Sequence, residues 1–301
     1  MRDIILIYNP KAGDTSFRFS LDRFIEIFSE KNYEIRVFRS RRPGDMAEYL
    51  KECNLTHTEA IFVAGGDGTV NEVVNAMMEM CCQIPVGVIP AGTDNDFAKT
   101  LGFDDGLEEN LKALAEMNVM AVDVANANGR YFVNICSAGT LASLTNVSSE
   151  MKNSFGRLAY YIKGIGAISK LHKMQLRIKV DDQASEGTFV MFMVINARLR
   201  RKDNAEIRQN LTDGKYDLIA VKIGGIANIA RVLMKIAKRE PIDEKDIWYV
   251  RGERFEILEL DSESGADEVH AVPSEIDGEL GPELPLKIQV HKGALKFFVK
   301  L

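Results

Sequence analysis

An apolar run, Ile61-Phe62-Val63-Ala64, stops in Gly65-Gly66-Asp67-Gly68-Thr69, and a helix-forming run follows at once over residues 70–80. Four apolar residues ending in glycine read as a buried strand. Three glycines within four positions cost backbone entropy, and an ordinary turn seldom needs them all. Strand, glycine turn and helix, in that order, point main-chain N–H groups at an anion and let a ligand approach the backbone. Asp67, held among the glycines, is the kind of carboxylate that can hold Mg²⁺ beside phosphate. The feature commits this stretch to an α/β layer and suggests a nucleotide site.

The same alternation runs through the first third of the chain. Strands are expected at 3–8, 33–39, 59–64 and 83–89, and helices at 17–31, 46–51, 70–80 and 107–117. Phe17, Leu21, Phe24 and Phe28 recur at helical spacing. Strand–helix alternation is the pattern of a mostly parallel sheet. After Val122 the pattern changes. Strands are expected at 131–137, 174–181, 188–196, 217–223 and 254–260, with helices only at 155–170 and near 226–238. Strand-rich, helix-poor sequence implies an antiparallel sandwich or barrel-like body. The expected division is therefore 1–122 for an α/β domain and 123–301 for a β domain, with a last strand, 295–299, that could return to the first. The polar stretch 262–267 reads as a surface turn.

Composition narrows the class. With 301 residues, 46% hydrophobic and 27% charged, the chain is an ordinary folded protein. A net charge of −6 argues against a general nucleic-acid binder. Cys53, Cys81, Cys82 and Cys136 form no C-x-x-C pair, and the four histidines show no ligand spacing, which argues against zinc. Reduced thiols in a cytoplasmic protein are expected. The N-terminal apolar run is too short and too early for a signal peptide. No apolar run approaches the ~20 residues of a membrane span. A lipid substrate would have to be met from outside the bilayer.

Three small-residue loops fall at the carboxyl ends of expected strands, the edge where open parallel sheets bind ligands. They are Asn9-Pro10-Lys11-Ala12-Gly13, the 65–69 loop, and Pro90-Ala91-Gly92-Thr93-Asp94-Asn95-Asp96-Phe97. The first reads either as a plain turn or as amides and an Asn9 side chain suited to phosphate or ribose. The third reads either as a helix start capped by Thr93 or Asp94, or as a nucleotide contact through Thr93. The P-loop pattern is absent, and Gly66 and Gly68 are followed by Asn71 where a dinucleotide fingerprint needs a third glycine. Late in the chain, Glu275-Ile276-Asp277-Gly278-Glu279 is either a polar turn or a general base at Asp277 or Glu279.

Together these motifs resemble the soluble, bacterial branch of the diacylglycerol kinase catalytic-domain family, which is related to the sphingosine kinases. Gly129-Arg130-Tyr131-Phe132 also matches, and the motifs keep the family order over most of the chain. The Gly65-Gly66-Asp67-Gly68-Thr69 loop is shared with NAD kinases and 6-phosphofructokinases, whereas Thr93-Asp94-Asn95-Asp96-Phe97 favours the lipid kinases. The resemblance implies a Rossmann-like α/β nucleotide domain followed by a β-sandwich, and transfer of the ATP γ-phosphoryl group to a lipid hydroxyl, diacylglycerol giving phosphatidic acid. Carried over, Asn9, Lys11, Ser40, Gly65, Gly66, Asp67, Gly68, Thr69, Asn71, Glu72 and Thr93 would line the ATP site. Asp67 would sit at the phosphates and Mg²⁺, and Glu279 would accept the proton. The family also holds a structural Mg²⁺ at an Asp-Asp-Gly turn. Here the turn is Thr212-Asp213-Gly214, so Asp213 would be the carboxylate ligand, with the carbonyls of Asn210 and Lys215.

A basic run follows Asn196 where many relatives have a glycine-rich stretch. Ala197-Arg198-Leu199-Arg200-Arg201-Lys202 reads as a solvated loop or as a patch for anionic headgroups, worth about 1 kcal/mol per basic residue near a membrane. Residues 160–173 mix aromatic, apolar and basic side chains, as either a core helix or an interfacial one does. The expected partner is a lipid at the membrane surface, met by transient peripheral contact. Oligomeric state stays open, a homodimer included. The rival readings are an NAD kinase-like enzyme with a soluble acceptor and a non-catalytic nucleotide- or lipid-binding protein.

Overall fold

The computed structural model describes residues 2–13, 15–104, 106–139, 173–196, 211–223, 247–260 and 272–300. The expected helices at 155–170 and 226–238, the basic run 197–202 and the turn 262–267 lie outside the described residues. The chain divides into two units. One comprises Met1–Val124 and Lys292–Leu301, the other Ala125–His291.

The first unit is a parallel sheet with helices. Strands β1 (Asp3–Tyr8), β2 (Glu34–Arg39), β3 (Thr58–Gly65) and β4 (Val86–Pro90) run in the order β2-β1-β3-β4. All six residues of β1 are buried, as expected of a strand covered on both faces. β4 begins later than the sequence suggests, just past Pro85, which has no N–H for the ladder. The end of the last strand, β15 (Leu286–Phe298), lies parallel beside β4, with Phe297 opposite Val86.

Helix α1 (Leu21–Glu30) buries Phe24, Ile27 and Phe28. Phe24 and Phe28 meet Phe62 of β3 at 5.2 and 4.6 Å, and Phe62 stacks on Phe298 at 5.5 Å. Aromatic pairs at such separations add to the burial of their area. The expected helix 17–31 is broken. A single 3-10 turn, Ser16–Phe19, precedes α1, and Ser20 separates them in a non-helical conformation. The remaining helices are α2 (Asp45–Glu52), α3 (Asp67–Glu79), the short α4 (Asp96–Thr100) and α5 (Leu107–Leu114). α3 starts inside the glycine loop, so Asp67 and Gly68 already belong to its first turn.

The second unit is antiparallel. Its strands are β7 (Ile135–Gly139), β8 (Met174–Val180), β9 (Gln183–Ile195), β10 (Tyr216–Lys222), β11 (Ile247–Gly252), β12 (Arg254–Glu259), β13 (Pro273–Ile276) and β14 (Glu279–Glu283). They run β14-β13-β7-β9-β8-β12, β12 pairs with the start of β15, and β10 pairs with β9 and β11. β8 shows the period of a half-buried strand: Met174, Leu176, Ile178 and Val180 face the core while Gln175, Arg177 and Lys179 face out. The chain enters this unit along β5 (Val119–Ala127), whose last residues form a hairpin with β6 (Arg130–Phe132).

The expected strand 131–137 is two strands, β6 and β7. At the break the amides of Val133, Asn134 and Ile135 donate to the Asp277 carboxylate at 2.9–3.0 Å. Amides directed at a side chain do not join the ladder there. Cys136 lies next to this junction, fully buried, and burial followed by the nearby Asp277 charge pushes its thiol well up. Cys81 is exposed. A thiol reagent should therefore label Cys81 in the native protein and reach Cys136 only in denaturant. Equal labelling rates at Cys136 and Cys81 in mass spectrometry would contradict this packing.

Candidate nucleotide site

The first unit brings the three glycine-bearing loops together at the carboxyl ends of β1, β3 and β4. A Cβ added at Gly92 would fall 2.4 Å from the Cα of Gly66, and one at Gly13 would fall 2.4 Å from the Ala91 carbonyl oxygen. Such distances leave no room for a side chain. The backbones of 9–13, 65–69 and 90–97 are therefore in direct contact through their glycines. A Cβ at Gly65 would meet Thr69 at 2.5 Å, so Thr69 fills the space beneath the turn. The Asn9 side chain donates to Thr69 Oγ1 at 3.4 Å, and Asn9 Oδ1 accepts the Lys11 N–H at 2.9 Å. The Ala91 N–H donates to the Gly65 carbonyl at 3.1 Å.

Asp67 ties the second loop to the third. Its Oδ2 accepts the Asp96 N–H at 3.2 Å and its Oδ1 the Phe97 N–H at 3.0 Å. These are the first two amides of α4, so a carboxylate from another loop caps this short helix. Phe97 is buried and packs edge-on against Phe297 at 4.9 Å, which anchors the far end of the loop. Asn95 closes the near end: its Oδ1 accepts the Gly92 N–H at 2.8 Å and its Nδ2 donates to the Gly92 carbonyl at 2.9 Å. Asn95 has a φ of 51°, a left-handed conformation that asparagine tolerates better than most residues. Asn95 is not among the residues expected at the site from sequence, although an asparagine between two aspartates is a turn signal. The expected candidates for the cap of α4, Thr93 and Asp94, are displaced by Asp67.

The other residues expected at the site divide. Ser40 follows β2 directly, and its N–H donates to the Tyr8 carbonyl at 3.0 Å, so it stands at the same sheet edge. Lys11 and Thr93 are exposed on their loops, and Gly68 lies in the first turn of α3. Asn71 is buried within α3, where its Oδ1 accepts from the Asn75 side chain at 3.1 Å. Glu72 is placed elsewhere: its Oε1 accepts the Met46 and Ala47 amides at 3.0 and 3.2 Å and so caps the first turn of α2. Its task in the structure is holding α2 to α3.

The close approach of Gly92 and Gly66 gives a direct test. Gly92→Ala must push the backbones of the second and third loops away from each other, and misplacement of about 1 Å can cost 10²-fold. With ATP as the ligand expected from sequence, isothermal titration should show binding roughly 10- to 100-fold weaker than in the unchanged chain. Unchanged affinity in a folded Gly92→Ala protein would contradict the cradle.

In the second unit, Glu279 opens β14 and is about half exposed. Arg130 holds it: Nη2 donates to Glu279 Oε2 and Nη1 to the Leu280 carbonyl, both at 2.5 Å. Among the described residues, no hydrogen bond reaches Glu279 Oε1. In the sequence Arg130 stands only as a member of a motif, and nothing there signals its pairing with Glu279. Asp277, the other candidate base, is buried, and its two oxygens already accept the three amides of the β6–β7 junction. That makes it a structural clamp.

The turn expected to hold a structural Mg²⁺ has a different arrangement. Asp213 Oδ1 accepts the Lys215 N–H at 2.9 Å, and Asp213 Oδ2 is held by Arg251 Nη2 at 2.5 Å. Asn210 lies outside the described residues. A guanidinium on the one carboxylate of the expected ligand set does not fit a divalent cation at the same group.

An open parallel sheet with three glycine-lined loops packed at one edge, followed by an antiparallel β body, defines a two-part α/β-plus-β protein with a candidate anion-binding edge. Residues 3–127 match the diacylglycerol kinase catalytic domain, and residues 134–299 match the YegS C-terminal NAD kinase beta sandwich-like domain. The chain belongs to the diacylglycerol kinase catalytic-domain family. The diacylglycerol kinase of Bacillus subtilis (strain 168) is 33% identical over 277 residues, which cover 88% of this chain and 91% of that one. The diacylglycerol kinase of Staphylococcus carnosus (strain TM300) is 28% identical over 282 residues, 93% of this chain and 89% of that one. A crystal structure from Bacillus anthracis str. Sterne, provisionally named a diacylglycerol kinase, superposes with a TM-score of 0.83. It is 27% identical, and the match covers 99% of this chain and 95% of that one.

Proposed function

We propose that the chain transfers the γ-phosphoryl group of ATP to a lipid hydroxyl, with diacylglycerol as acceptor and phosphatidic acid as product. The observation that carries the reading is the glycine-to-glycine contact of the loops around Asp67. Family membership supports a kinase, and the name of the Bacillus subtilis relative supports the acceptor.

Phosphoryl transfer depends on positioning and charge neutralisation more than on covalent chemistry. In this reading the amides of the first turn of α3 and of the glycine loops hold the phosphates, where a helix N-terminus favours negative charge. Asn9 and Thr69 brace the first loop against the second. Asp67 keeps the third loop in place through the Asp96 and Phe97 amides. An ionised carboxylate offers about four lone-pair directions, so two amides leave Asp67 room to orient a hydrated Mg²⁺. Bound there, Mg²⁺ would neutralise charge developing on the phosphate oxygens. Glu279, with Oε2 held by Arg130, takes the acceptor proton at Oε1.

The lipid is met at a membrane surface by peripheral contact. Among the described residues, no helix is long and apolar enough to cross a membrane. Of the stretches suggested for the surface contact, 160–173 and 197–202, all but the exposed Lys173 lie outside the described residues.

A second reading has its own support, because the β-sandwich match names NAD kinase. Incubation of the purified protein with ATP, Mg²⁺ and either NAD or dispersed diacylglycerol separates the two. The proposal expects phosphatidic acid and no NADP; NADP without phosphorylated lipid would reverse it.

A further inference from the structure

We propose that Arg251 is the built-in counter-cation of Asp217 and of the turn at 211–215, in place of the structural Mg²⁺ that the family resemblance implies, so that this turn is stable without a divalent ion. Arg251 lies directly opposite Asp217 in the β10–β11 ladder. Its Nε donates to Asp217 Oδ1 at 2.7 Å, and its Nη2 reaches out of the ladder to Asp213 Oδ2 at 2.5 Å. One planar guanidinium thus joins a buried strand carboxylate to the turn carboxylate, a geometry that arginine forms and lysine does not. Asp217 is 2% exposed and Arg251 only 22%, so the pair is screened less than a surface pair. The Tyr249 hydroxyl donates to Asp217 Oδ2 at 2.9 Å and fixes the second oxygen.

The turn is also closed from within. The Lys215 N–H donates to Asp213 Oδ1 at 2.9 Å, which closes the turn through its own side chain. A Mg²⁺ on Asp213 would bond an oxygen at about 2.1 Å and require near-octahedral geometry. It would do so against a guanidinium already bonded to that carboxylate. The Asp-Asp-Gly pattern has lost its first aspartate to Thr212, which removes a negative charge that would favour a dication. Charge is balanced by arginine in this chain, and the claim is independent of which acceptor the enzyme uses.

The test is thermal unfolding of the full chain, free of nucleotide, in EDTA and in millimolar Mg²⁺ or Ca²⁺. The wild-type midpoint should respond to the ions no more than that of Asp213→Asn does, so that any Mg²⁺ held near Asp67 cancels in the comparison. Arg251→Met takes the guanidinium away from Asp213 and Asp217. Its midpoint should fall in EDTA and rise again with Mg²⁺ or Ca²⁺ by at least roughly 3 °C. A loss of packing alone would not respond to the ion. Arg251→Lys, which keeps a charge, should gain less. A wild-type midpoint that falls in EDTA where that of Asp213→Asn does not overturns the proposal, as does an Arg251→Met protein that is indifferent to the ions. If Arg251→Met does not fold, calorimetric titration of the wild-type chain with Mg²⁺ decides. Saturable binding that Asp213→Asn abolishes overturns the proposal, and the absence of such binding supports it.

Discussion

Asp67→Ala is expected to lower turnover at least ~100-fold. The carboxylate is buried and caps α4 from another loop, through Asp96 and Phe97. Alanine leaves the buried Phe97 amide without its acceptor, at a cost of about 1–3 kcal/mol in stability. It also unties the start of α4 from the glycine loop, and removes the negative charge that would orient Mg²⁺. Asp67→Asn separates the two roles. Asparagine keeps the shape and one acceptor oxygen but turns an NH₂ toward the other amide. The Asn variant should keep more stability than the Ala variant yet lose comparable turnover. Melting midpoints and kcat measured side by side decide; near-wild-type kcat in folded Asp67→Ala would show that the carboxylate has no role in turnover.

Glu279→Ala should cost turnover on the same scale, at least ~100-fold, the low end of a general-base contribution. Stability should hardly change, because the side chain is about half exposed and its ion pair is with Arg130 at the surface, and exposed pairs contribute little. Asp277, two residues earlier, should behave in the opposite way. It is buried, accepts three amides and has a φ of 46°. Asp277→Ala should lower stability by on the order of 3 kcal/mol, and its activity should follow the folded fraction. The contrast between neighbours is the informative result. If Glu279→Ala unfolds and Asp277→Ala stays stable but inactive, the two roles are the reverse of those given above.

Much of this architecture was legible because it depends on pattern. The strand–glycine–helix feature, the continuous burial of β1 and the alternation of β8 follow from periodicities of 3.6 and 2. The order of the motifs was enough for the family. What the sequence did not show depends on partners distant in the chain. The break between β6 and β7 is made by Asp277, far away in sequence. Glu72 looked like a continuation of the glycine loop but caps α2. Arg130 and Arg251 resemble any surface arginine until the fold puts Glu279 and Asp213 beside them. Boundaries shifted where one residue decided them, as at Ser20 and Pro85.

The central claim is that the glycine-lined edge around Asp67 serves phosphoryl transfer to a lipid. The most direct measurement follows label from γ-labelled ATP, with Mg²⁺ and the 301-residue chain, into diacylglycerol dispersed in anionic vesicles, with NAD as the soluble control. Labelled phosphatidic acid, no labelled NADP, and loss of the lipid signal in Asp67→Ala are the expected results. Label in NADP alone, or none in any lipid acceptor while ATP still binds, would contradict the claim.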